Sequence, residues 1–152
     1  MDILSKVDFL VDLLDFSIVF WPEVQPLSGK QASLGSIMGI PTAEATVGQR
    51  KIAMFIDTGA KLSYLASDLL QGSAAFEKQQ DFYPGFGRFN TEVWKVVVEL
   101  AGEKMQLSFG VLPRLLETTL LIAGAQGIIG MQLFRNFRVH FALRSGIMSL
   151  QE

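Results

Sequence analysis

The chain has no cysteine among its 152 residues, so disulfides and thiolate metal sites are excluded. It has one histidine, His140, too few for a histidine-rich metal site. Charged residues make up only 18% of the chain and the formal net charge is −2, which leaves no electrostatic case for nucleic acid as a partner. No apolar run approaches the roughly 20 residues that a membrane span requires. Near the N-terminus, Phe9-Leu10-Val11 and Leu13-Leu14 are interrupted by Asp8, Asp12 and Asp15. The same aspartates spoil a secretory leader, which needs an uncharged apolar core after a basic start. The missing cysteine is neutral about compartment. The missing leader and span favour the cytoplasm slightly, and a signal or anchor upstream of residue 1 stays open. Internal repeats and low-complexity tracts are also lacking.

What is present points to strands. Apolar residues make up 49% of the chain, which argues against disorder and for one domain with a real core. Twelve phenylalanines and fourteen glycines suit strands joined by tight turns. Ser17–Trp21 reads as a strand, although residues 2–14 read almost as well as a helix through Ile3, Val7, Leu10, Val11 and Leu14. Residues 22–41, with Pro22, Pro26, Gly29, Gly35, Gly39 and Pro41, read as a connector with at most one short strand. Residues 43–47 and 51–56 then form a hairpin across Gly48-Gln49-Arg50. Residues 67–70 suggest one helical turn. Residues 76–82 and 88–100 flank a glycine-rich tip, and residues 104–111 return. A loop with a short helix covers residues 112–125, a short helix covers 131–137, and a hairpin of residues 138–143 and 147–150 closes the chain. Residues 1–36 are expected to be an N-terminal extension or connector of unknown role, and residues 37–152 the functional domain.

Two motifs carry chemistry. Asp57-Thr58-Gly59-Ala60 ends the apolar run Ile52-Ala53-Met54-Phe55-Ile56, which puts one carboxylate in a small-residue turn at the tip of a buried strand. The tripeptide alone is weak, since an aspartate that caps its own turn has the same appearance. Some seventy residues later comes Gly127-Ile128-Ile129-Gly130, two branched apolar residues held between glycines. Its plainer reading is core packing. Between the two lies the tip Tyr83-Pro84-Gly85-Phe86-Gly87, followed by Phe89. The glycines give it mobility and the aromatics give it apolar cover, or it is simply an exposed hairpin loop. Ser63 has only His140 as a possible base and lacks a nucleophile elbow, so it is expected to hydrogen-bond near the Asp loop. Lys61 is expected to be exposed, and His140 to be a surface or satisfied polar residue. Asp2, Asp8, Asp12 and Asp15 lack metal-loop spacing and read as a solvated face. Phe134 and Phe137 read as an ordinary apolar helix face.

In this order, over about residues 40–152, the motifs resemble the retropepsin-like aspartic proteases, the bacterial single-domain members more than the viral ones. The resemblance implies an all-β fold, a closed acid-protease barrel with one or two short helices. It implies an aspartic endopeptidase that needs no metal or organic cofactor. With only one Asp loop per chain, the enzyme must be a homodimer acting on a peptide or protein substrate. Asp57 is then catalytic, Thr58 knits the two Asp loops together, and Gly59 and Ala60 let them approach. Ile128, Ile129 and Gly130 support the loop, and Pro84, Gly85, Phe86, Gly87 and Phe89 form a flap over the substrate. One departure concerns the dimer: viral members follow the apolar-apolar-Gly element with Arg and then Asp or Asn, where this chain has Met131-Gln132. Arg135 and Asn136 are near but out of register. Two alternatives remain. One is a dimeric module of the same fold that binds peptides without cutting them. The other is a monomeric ligand-binding β-barrel.

Overall fold

The computed structural model describes residues 6–152. Twelve strands are present among them: β1 (Asp8–Asp12), β2 (Ser17–Trp21), β3 (Lys30–Ile37), β4 (Ile40–Val47), β5 (Arg50–Ile56), β6 (Ser63–Leu65), β7 (Glu77–Tyr83), β8 (Gly87–Leu100), β9 (Glu103–Gly110), β10 (Gly127–Ile129), β11 (Arg138–Ala142) and β12 (Ile147–Gln151). A 3-10 turn covers Ser67–Leu70, and two short helices, α1 (Arg114–Ile122) and α2 (Gln132–Asn136), complete the chain. The fold is all-β, as expected. None of the described helices is long and apolar enough to cross a membrane.

The strands hydrogen-bond in the order β2-β1-β11-β12-β3-β4-β5-β10-β6-β9-β8-β7, and β4 also pairs with β8. That extra pairing (Ala45↔Leu100, Thr46↔Glu99, Val47↔Val98) closes β4, β5, β10, β6, β9 and β8 into a ring. Closure leaves those six strands without free edges. β8 is long enough to bury opposite faces at its two ends. Phe89 and Val93 join a small cluster with Phe55, Leu62, Tyr64, Leu112 and Ile128, while Val98 and Leu100 join the large core. β10 lies between the two clusters, so the consecutive residues Ile128 and Ile129 point to opposite sides, as a pleated strand requires.

Three expectations for residues 1–41 are corrected. The helix is a strand over its described part. β1 pairs with β2 on one side and β11 on the other, and this pairing overrides the helical period. Ile3 and Asp2 lie outside the described residues. The connector holds an eight-residue strand, β3, whose first half pairs with β12 and second half with β4. Met38 (φ 54°) and Gly39 (φ 79°) make its tight turn into β4, since a two-residue hairpin needs positive φ at both positions.

The third correction concerns the aspartates. Asp8 and Asp12 are buried at 0% and 4% exposure, not solvated. Asp8 accepts the Gln25 N–H (3.1 Å) and lies 3.5 Å from Arg144 Nη2. Asp12 accepts the N–H groups of Leu14 (2.9 Å) and Asp15 (3.1 Å) and lies 2.7 Å from Arg138 Nε. Backbone donors and distant arginines compensate charges that would otherwise be costly to bury.

His140 is buried on β11 beside the Trp21 ring (5.2 Å between centroids), and its Nε2 has no hydrogen-bond partner among the described residues. Burial lowers its proton affinity below the usual value of 6.5, and the nearby Asp8 charge opposes this more weakly. The unfolded chain therefore takes up a proton at a higher pH than the folded chain. His140 thus contributes stability that is full above 6.5 and is lost as pH falls toward the folded value. Urea midpoints measured between about pH 7 and about pH 5 should fall more steeply for the native protein than for His140→Gln. Equal slopes would show that His140 has no such role.

Candidate active site

β5 runs buried through Ile56 and ends at Asp57. β10 lies beside it in parallel register (Gly127↔Met54, Ile128↔Phe55, Ile129↔Ile56) and pairs antiparallel with β6 on its other side. Residues 57–62 must therefore pass over the C-terminal end of β10. Three hydrogen bonds clamp this crossing. The Asp57 N–H donates to the Ile129 carbonyl (2.9 Å), the Met131 N–H donates to the Ala60 carbonyl (2.8 Å), and the Gly130 N–H donates to Ser63 Oγ (3.0 Å). Gly130 is required by closeness. A Cβ there would collide with the Ala60 carbonyl oxygen and lie 2.9 Å from that of Leu62.

Within the loop, the Gly59 N–H donates to Asp57 Oδ1 (2.8 Å), and the Ala60 N–H donates to the Asp57 carbonyl (3.3 Å). A plain capped turn makes the same bonds. What a plain turn does not need is the buried clamp beneath it. The Asp57 side chain is exposed in the single chain, as are Thr58, Gly59 and Lys61. Ser63, which the sequence placed near this loop by exclusion, is fully buried and supplies one bond of the clamp.

Asp57 borders two apolar cavities. The larger, about 510 Å³, is walled by Phe9, Val11, Ile18 and Phe20 of the N-terminal hairpin together with Ile40, Pro41, Ile56, Thr58 and Met131. The smaller, about 190 Å³, lies between Met38, Ile40, Phe55, Tyr83, Leu112, Leu116 and Ile128. Among the described residues, Asp57 is the only acid lining either one. The sequence reading missed the N-terminal hairpin, Ile40 and Pro41 as neighbours of Asp57, while Tyr83 belongs to the tip it singled out. Tyr83 had a signal in its place next to Pro84-Gly85. The hairpin residues had none, since only strand pairing brings them there.

The β7–β8 hairpin carries the residues read as a flap. Pro84 and Gly85 (φ 80°) make the turn, closed by the Phe86 N–H bonding to the Tyr83 carbonyl (3.1 Å), and Gly87 also has positive φ (99°). Phe86 is exposed and packs edge-on against Phe89 (6.1 Å), which in turn packs against Tyr64 (6.2 Å). Phe89 thus lies beneath the tip rather than on it. The Tyr64 hydroxyl donates to Asp81 on β7, two residue pairs below the turn, and ties the upper part of the hairpin to the strand after the Asp loop. Burial first, and this bond second, raise the Tyr64 phenol far above its usual value, so it stays a donor at any ordinary pH.

No protein-family pattern matches this chain, and no curated protein does. Among solved structures it is similar to the simian foamy virus (mac) protease in solution, at 13% identity over 60% of this chain and 88% of that one, with a TM-score of 0.46. It is also similar to a foamy viral protease-reverse transcriptase in complex with an RNA/DNA hybrid, at 15% identity and a TM-score of 0.49. That match covers 61% of this chain and 11% of the other.

The clamp generates a stability prediction. Ser63→Ala removes the acceptor of a buried N–H without changing the packing much. It should cost about 1–3 kcal/mol, the penalty for an unpaired buried donor. Denaturant titration measures it. A loss of only a few tenths would mean that Gly130 finds another partner.

Proposed function

We propose that the chain is one half of an aspartic endopeptidase that acts as a homodimer. The observation that carries this is the exposed Asp57 carboxylate on a loop clamped from below, with no second acid beside it among the described residues of its own chain. Peptide hydrolysis needs a base for the attacking water and an acid for the leaving nitrogen. A lone ionised carboxylate is only the base. Two carboxylates about 3 Å apart share one proton, because they cannot both ionise, and so fill both roles; this is the known behaviour of aspartic proteases generally.

In the dimer, Asp57 of each copy faces the other across the two-fold axis, with a water between them. The ionised carboxylate takes a proton from the water as its oxygen attacks the scissile carbonyl carbon. The protonated carboxyl hydrogen-bonds to the carbonyl oxygen and stabilises the tetrahedral intermediate. The nitrogen then takes a proton from the dyad, the C–N bond breaks, and the acid and amine leave. Thr58 and Gly59 hold the two loops in register, Ala60 keeps the approach open, and Ile128, Ile129 and Gly130 keep each loop rigid. Residues 83–89 close over an extended peptide, with Pro84, Gly85, Phe86 and Gly87 at the moving tip and Phe89 under it. The apolar cavities beside Asp57 fit apolar side chains near the cut. Residues 37–152 carry this machinery, and residues 1–36 add the hairpin beside it.

One observation favours a second reading. A cavity of about 510 Å³ with apolar walls is present in a single copy, as a monomeric ligand-binding barrel would have. In that case Asp57 has no chemical task. Asp57→Asn separates the two: the endopeptidase should lose peptide cleavage by at least ~10²-fold while keeping its fold. Its rate should also peak at acid pH, because one shared proton is needed. Undiminished cleavage by Asp57→Asn, or a rate that is flat from about pH 3 to about pH 8, removes the dyad.

A further inference from the structure

Among the described residues the sheet has two free edges, and they differ in kind. β7 carries Glu77, Lys78 and Asp81, charges that discourage pairing with another strand. β2 is Ser-Ile-Val-Phe-Trp, without a charge, and among the described residues it pairs only with β1. Ile18, Val19 and Phe20 are 56%, 39% and 52% exposed. The apolar surface continues to the hairpin tip, where Leu14 is exposed and Phe16 is 90% exposed. Phe16 does so at φ 51°, a left-handed conformation that costs a bulky residue about 1–2 kcal/mol. A chain that had only to cover β1 would not need an uncharged, outward-facing edge of this sort.

We infer that β2 is the dimerisation edge, and that its partner is β2 of a second copy of this chain. This rests on the dyad reading, because the missing acid must arrive on the face that presents Asp57. Ile18 and Phe20 line the same cavity as Asp57 and Thr58, so the free edge and the incomplete site share one face. A two-fold contact sets each surface against itself, and an antiparallel pair of identical strands meets this condition when the strand has no charge to repel its copy. With Val19 at the axis, Ile18 of each copy lies opposite Phe20 of the other. The pairing makes one sheet through β11, β1 and β2 of both copies.

Sedimentation equilibrium of the full chain tests this, with hydrogen exchange at residues 17–21 followed against protein concentration. The native protein should dimerise, and the residue 17–21 amides should gain protection as it does. Val19→Lys sets two like charges across the axis and should raise the dimer dissociation constant at least ~10-fold. Val97→Lys, at an exposed position on β8, should associate like the native chain. A native chain that stays monomeric overturns the inference. So does a dimer in which residues 17–21 gain no protection, which needs no variant to fold. Protection that appears only when a peptide is added also overturns it, as does a folded Val19→Lys that associates normally. If the edge fails while Asp57→Asn still abolishes cleavage, the dyad stands and its dimer uses another face. If the edge holds while Asp57→Asn cleaves normally, the dimer stands and the dyad falls.

Discussion

The site depends on a crossing of two backbones. The loop from Asp57 to Leu62 passes over the end of β10, and the Met131 and Gly130 N–H groups bond upward to Ala60 and Ser63. This works only because residue 130 has no side chain. Asp57 is in turn held by the Ile129 carbonyl through its own N–H. A carboxylate on such a loop has a defined direction, yet its oxygens remain open to whatever docks on that face. An ordinary surface turn would leave it to wander.

The rest of the fold keeps the crossing in place. Closing the ring between β4 and β8 fixes β5 and β9, and between them β10 and β6 fill the gap. Because β10 is buried on both faces, the small cluster and the large core both press on it through Ile128 and Ile129. The β7–β8 hairpin is tied to the same centre by the Tyr64–Asp81 bond.

The N-terminal hairpin shows how burial can defeat a charge pattern. Asp8 and Asp12 interrupt an apolar run, as solvated residues do, yet both lie inside and meet Arg144 and Arg138. On β2 the apolar residues Ile18, Val19 and Phe20 are exposed. This inversion leaves an uncharged edge beside the Asp57 cavity. It also explains why β1 has no helical character, since its backbone is paired on both sides.

Much of the molecule was legible because its signals are local. The hairpin leading to Asp57, the turn at Tyr83–Gly87, the strands β8 and β9, the short helices and the closing hairpin follow from alternation and from glycine or proline punctuation within a few residues. The branched pair at 128–129 between glycines was read as core packing, and the structure makes it a strand buried on both faces. Residues 22–41 were not legible, since β3 has little apolar alternation and exists by pairing with β12 and β4. Sequence by itself determined the Asp57 turn, the flanking glycines and the strand periods, which depend on near neighbours. Tertiary structure alone decided that the acid is exposed, that Ser63 braces Gly130 from 67 residues away, and that the first aspartates meet the last arginines. Those outcomes depend on which strands lie side by side, and pairing over such distances leaves no local trace in the order of residues.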